Sequence, residues 1–168
     1  MSVVHFSLSL CHVCEHEVTR MFPLESGGVL MGRRMGKDQW HVDHVIGPGP
    51  AARHERYRFS PDLDYQLEEI ARRFTDTHGQ STYLGDWHSH PKARHGRLSY
   101  LDRRALGKIM DAPEAQCFAP LMMILWGEPA AWTPTIWRAL EGSRGLFARL
   151  PKVAPCRFAE SGATPPNS

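Results

Sequence analysis

The amino-acid sequence predicts a single α/β (α+β) domain in which a mixed β-sheet is sandwiched by helices. Three observations lead there. The chain has 168 residues, the size of one ordinary domain and too short for two full-sized ones. Segments with apolar residues at every second position are interspersed with segments whose apolar residues recur at three and four. The breaks between them are short glycine- and proline-bearing turns rather than long linkers.

Taken in order, Val4, Phe6, Leu8 and Leu10 alternate with His5, Ser7 and Ser9, the period of an opening strand. From Cys11 to Met21 the spacing of Val13, Glu17 and Arg20 predicts a short helix that Pro23 stops. The stretch from Glu25 through Gly27, Gly28, Val29, Leu30 and Met31 to Gly32 suits a central strand that another backbone or a ligand approaches closely, with Glu25 at its start. Trp40, Val42, His44 and Ile46 then form a strand, joined to the previous one as a hairpin through Met35-Gly36-Lys37-Asp38. Two prolines and two glycines between Gly47 and Ala52 make a loop.

Ser60-Pro61-Asp62 reads as an N-cap with proline in the first turn, and Leu63, Leu67, Ile70, Ala71 and Phe74 carry the longest helix to about His78. Thr82 to His88 is a further strand, Ser99 to Met110 a capped helix, and Leu121 to Trp126 and Ala131 to Ala139 two closing strands. The single folded domain is expected to occupy residues 1–150. The small, polar residues of the 151–168 tail predict at least partial disorder.

Composition narrows the function. With 20 basic and 18 acidic residues, the net charge of +2 lacks the basic excess of a nucleic-acid binder, so no nucleic-acid partner is expected. The longest apolar runs, such as Pro120 to Trp126, are far too short to cross a bilayer, and no signal peptide is legible. A cytoplasmic protein with no membrane partner and free thiols at its four cysteines is the expectation.

The chemistry gathers around residue 90. His88 and His90, one residue apart on extended backbone, point to the same face, and Asp102 on the first turn of the following helix can turn back toward them. Two imidazoles and a carboxylate are a three-donor set of the kind that binds catalytic zinc and leaves the fourth corner of a tetrahedron open for water. Glu25 is the candidate general base, because close packing at Gly27 and Gly28 would bring its strand up to that of the histidines. Ser99 can cap the helix or donate to an oxyanion, and both roles are compatible.

Glu25, then His88-x-His90-Pro91, seven residues, and Ser99-x-x-Asp102 resembles the complete signature of the JAMM (JAB/MPN+) metallopeptidases. The element order from about residue 3 to 140 also resembles the MPN fold, with its cytidine-deaminase-like layering. The resemblance implies one Zn2+ per chain held by His88, His90 and Asp102, with Glu25 and Ser99 as catalytic residues. It implies cleavage of isopeptide or peptide bonds after the C-terminus of ubiquitin or a ubiquitin-like protein. A finer resemblance, through Gly85-Asp86-Trp87-His88-Ser89-His90-Pro91 and the Glu25 to Arg34 stretch, is to small bacterial JAB proteins of antiphage operons. That implies as partners a ubiquitin-like protein or a conjugated substrate such as a cyclic-oligonucleotide synthase, with E1-like and E2-like proteins of the same operon.

Two alternatives stand beside this reading: a peptidase that processes a sulfur-carrier protein, and a non-catalytic MPN scaffold. Cys11-His12-Val13-Cys14 invites a second metal site, but no further ligand pair stands nearby, and thiols one helical turn apart suit a core. The basic run Lys92, Arg94, His95 and Arg97 is a solvated loop that borders the site.

Overall fold

Each central strand divides its side chains between two faces, and that division builds the layers. The computed structural model describes residues 1–142 and 150–160. On β2 (Gly27–Gly36), Leu30 packs toward helix α1 (Leu8–Met21), in a core with Cys11, Cys14, Val18, Phe6, Trp40 and Met123. Its neighbours Val29 and Met31 face the other way, where Tyr65 and Ile70 of α2 (Leu63–Asp76) cover them. β7 (Leu121–Gly127) repeats the arrangement: Leu121, Met123 and Leu125 join the α1 core, whereas Met122 and Ile124 pack against Leu106 of α3 (Tyr100–Asp111). One face of the sheet thus carries α1 and the other carries α2 and α3, the sandwich that the apolar runs predict.

The remaining strands are β1 (Val3–Phe6), β3 (Gln39–Ile46), β6 (Thr82–Pro91), β8 (Thr133–Ala139) and β9 (Val153–Glu160), with a separate two-stranded β4 (Arg53–His54) and β5 (Phe59–Ser60). The sheet runs β1-β3-β2-β6-β7-β8-β9 and closes as a barrel where β9 meets β1. It is mixed, since β1 pairs parallel with β3 and β9, and β6 parallel with β7. The β2–β3 hairpin forms as expected.

Three boundaries differ from the sequence reading. Ser7 ends β1, because its hydroxyl accepts from the Leu10 amide at 3.3 Å and starts α1, so Leu8 and Leu10 are helical. Asp62, not Ser60, caps α2: its carboxylate accepts from the Tyr65 and Ala51 amides, and Ser60 pairs with Arg53.

The third difference corrects the 1–150 boundary. Val153–Glu160 is an ordered strand that closes the barrel, with Phe158 against Phe6 at 5.8 Å between ring centroids. Residues 153–156 pair with β8 and 157–160 with β1, so Pro155, which lacks an amide hydrogen, lies beyond the stretch that meets β1. A proline and weak alternation hid this strand. The expected fraying of 161–168 lies outside the described residues, as do 143–149.

Candidate metal centre

Three elements carry the site, and local chemistry fixes each of them. His88 and His90 lie on β6, their side chains on one face because one residue separates them. The intervening Ser89 faces the opposite way and ties β6 to β2: its amide donates to the Ser26 carbonyl at 2.8 Å, and its hydroxyl accepts from the Ser26 amide at 3.0 Å. The Ser26 hydroxyl in turn donates to Glu17 of α1 at 2.8 Å. This clamp sets the register in which Gly27 stands opposite His88.

Glycine is required there. A Cβ on Gly27 would sit 2.3 Å from the Trp87 carbonyl and 2.7 Å from the His88 Cβ, and one on Gly28 would sit 1.8 Å from the Ile46 carbonyl. The close approach expected of these glycines is therefore present, and it delivers Glu25 to the edge of the histidine pair. Glu25 is pinned through its main chain, its amide donating to the Glu55 carbonyl at 2.8 Å and its carbonyl accepting from His54 Nδ1 at 2.9 Å. Its side chain lines the same cleft as His88, His90, Ser99 and Asp102.

Asp102 arrives by helix capping. The Ser99 hydroxyl accepts from the Asp102 amide at 3.2 Å and Asp102 Oδ2 accepts from the Ser99 amide at 2.6 Å, a reciprocal box that orients the carboxylate at the start of α3. Ser99 is thus a helix cap, and as an acceptor it keeps its own hydroxyl proton free to donate elsewhere. The loop before it is anchored by Trp137, whose indole donates to the Gly96 carbonyl at 2.7 Å.

The donors converge. His88 Nε2 and His90 Nε2 are 3.1 Å apart, His88 Nε2 is 3.1 Å from Asp102 Oδ1, and His90 Nε2 is 3.4 Å from Asp102 Oδ2. Donors about 2.0–2.2 Å from a tetrahedral zinc stand about 3.3–3.6 Å from one another, so small side-chain adjustments fit this set to such an ion. Nitrogen and carboxylate oxygen are also the donor types that zinc takes in catalytic sites. Among the described residues this is the one group of three or more histidine, cysteine or acidic side chains so gathered.

Electrostatics match the packing. Burial alone would raise the Asp102 carboxyl, but hydrogen bonds with His88, His90 and the Ser99 amide outweigh it and hold the group well below the usual carboxylate range. Burial alone would lower the His88 imidazole, yet its hydrogen bond and charge interaction with Asp102 hold it above the ordinary value. Burial pushes the Glu25 carboxyl up, opposed by the two histidines. In the same cleft, burial pushes Asp86 up to about 6 although the Tyr83 hydroxyl donates to it at 2.8 Å.

The sequence reading gives no role in the site to Asp86 or Tyr83 and does not foresee the Ser26–Ser89 clamp. For Asp86 a signal exists, since it shares a face with His88 at a spacing of two. For the serines no motif distinguishes a clamp from solvated hydroxyls. Cys11 and Cys14 fall in the α1 core, with burial pushing Cys11 up to about 11 and Cys14 well above the ordinary thiol value.

Comparison with known proteins matches residues 11–139 to the family described as prokaryotic homologs of the JAB domain. The chain belongs to this family. This JAB domain is 37% identical over 139 residues to a Sinorhizobium fredii protein named "Probable metalloprotease y4qB", covering 82% of the chain and 85% of the relative. It is 25% identical over 130 residues to a "CD-NTase/cGAS isopeptidase" of Escherichia coli, 77% of the chain and 79% of that protein. A Vibrio cholerae protein of the same name is 31% identical over 87 residues, 47% of the chain and 55% of the relative. Among solved structures, protein DSY2949 from Desulfitobacterium hafniense superposes with a TM-score of 0.66 over 96% of the chain and 93% of that structure. At 20% identity that likeness shows the shared fold. No helix among the described residues is long and apolar enough to cross a membrane.

Proposed function

We propose that this JAB domain is a zinc-dependent isopeptidase or peptidase that cleaves after the C-terminus of a ubiquitin-like protein or a conjugated synthase, in bacterial antiphage defence. The observation that carries the reading is the triangle of His88, His90 and Asp102 donors with Glu25 half-buried in the same cleft. The relatives named metalloprotease and isopeptidase support it. The two isopeptidase names favour deconjugation over the processing of a sulfur carrier. The complete donor set argues against a scaffold without activity.

His88, His90 and Asp102 would hold the ion. When bound, zinc supplies Lewis acidity toward a carbonyl oxygen and toward water. The residues of the chain divide the remaining work. Glu25, as carboxylate, takes a proton from the attacking water at a side-chain oxygen and delivers it to the departing amine. Its half-buried position raises its basicity above that of a solvated glutamate. Ser99, whose hydroxyl oxygen is occupied by the Asp102 amide, donates its proton toward the developing oxyanion. The reciprocal Asp102–Ser99 box, with Asp102 buried and Ser99 exposed to the cleft, holds the third donor in place while Ser99 acts. Free thiols at Cys11, Cys14, Cys117 and Cys156 agree with a reducing, cytoplasmic setting.

The test is cleavage of fusions to the ubiquitin-like or synthase C-termini encoded beside the gene, by zinc-loaded protein with a chelator control. Glu25→Gln is expected to keep zinc and fold while losing at least about 100-fold in rate, the scale of general-base catalysis. Retained cleavage in that variant would remove Glu25 from its role.

A further inference from the structure

The candidate metal centre lines a cleft of 1420 Å³ whose walls include residues of α2 and α3. Its floor is apolar, from Val29 and Met122 on the sheet to Ile70 of α2 and Ile109 of α3. Its walls carry large apolar side chains that folding leaves in water: Leu63 is 64% and Leu67 63% exposed on α2, Leu101 60% exposed on α3. Apolar exposure of this kind along a groove marks a surface that binds something.

The charged groups of the cleft are unevenly placed. Three of its carboxylates, Glu25, Asp86 and Asp102, cluster with the histidines. The rest of the lining carries Arg56 and Arg58 between β4 and β5, Lys92 after β6 and Lys108 on α3, against Glu114 alone. None of these four basic groups has a carboxylate within ion-pair distance among the described residues. Arg56 rests on the exposed Tyr57 ring and Lys92 over Phe22, so their charges are presented rather than neutralised.

We propose that this cleft selects an extended peptide that alternates aliphatic and acidic residues, and discriminates against a basic one. Side chains of an extended chain point alternately to opposite sides. One set would bury aliphatic groups against Leu63, Leu67, Leu101 and the floor, while the other would set carboxylates against Arg56, Arg58 and Lys108. The inference rests on the peptide-cleaving reading and names the class of sequence leading into the scissile bond.

Binding tests it without turnover. Full-length, zinc-loaded Glu25→Gln protein would be titrated against fluorescein-labelled ELELEG amide and KLKLKG amide, with anisotropy as readout; amidation removes a terminal carboxylate that could reach the metal. The acidic peptide is expected to bind about tenfold tighter at low salt, the joint effect of three exposed ion pairs, with the ratio shrinking as salt rises. Arg56→Glu/Arg58→Glu, on an exposed turn, is expected to invert the preference, and Lys108→Glu to reduce it. Equal binding, tighter binding of the basic peptide, an unchanged ratio in the double variant, or no saturation of either peptide overturns the proposal. Each of these leaves the cleavage assay with neighbouring C-termini to be decided on its own result.

Discussion

Asp102 shows how one residue can serve folding and chemistry together. Its carboxylate closes the capping box with Ser99 and stands within 3.1 and 3.4 Å of the two imidazoles. The motif His88-x-His90 with Asp102 was legible in sequence because each spacing has a geometric consequence: alternation on a strand, one turn of a helix. Asp86 shares the face of His88 at a spacing of two, but that signal is weak by itself and gains weight only once burial and Tyr83 surround the carboxyl. The coupling of His88 to Asp102 carries a pH prediction. A histidine must be neutral to bind metal, and its raised pKa means that protons compete with zinc to higher pH than for a free imidazole. Zinc affinity is therefore expected to increase as pH rises from about 6 to 8, with protons released on binding. Chelator competition across that range checks it, and a flat or falling affinity contradicts it.

At the scale of elements, the β2–β6 contact brings Glu25 to the histidine pair. The sequence disclosed the glycines of β2 but not their partners, because the Ser26–Ser89 exchange and the Trp87 indole donating to the Ile46 carbonyl at 3.1 Å are long-range pairings that leave no local pattern. Gly27→Ala puts a methyl group 2.3 Å from the Trp87 carbonyl, which forces the strands apart. We expect a loss of about 2–4 kcal/mol, as for other strained core substitutions, together with reduced zinc retention. Urea unfolding and zinc content per chain check this, and an unchanged midpoint with full zinc refutes it. The α2 cap illustrates a smaller misreading: Ser60 and Asp62 both suit an N-cap, and only the pairing of Ser60 with Arg53 decides between them.

For the molecule as a whole, layering was predictable and closure was not. Apolar runs at Leu30 and Leu121–Leu125 foretold a sheet covered on both faces, whereas the barrel depends on β9, whose halves pair with different strands. Ending the chain after Leu150 removes β9 and uncovers Phe6. That is expected to cost on the order of 3 kcal/mol or more, a fall of roughly 6–12 °C in Tm for this chain length. A calorimetric scan with unaltered Tm would return the segment to the status of a dispensable tail. The whole fold gathers three donors from β6 and α3 in the cleft that Glu25 lines, the arrangement that the proposed zinc ion requires. Anomalous diffraction at the zinc edge, on crystals of zinc-loaded protein, locates that ion. A single strong peak is expected among His88 Nε2, His90 Nε2 and the Asp102 carboxylate; a peak elsewhere, or none there, would refute the proposed centre.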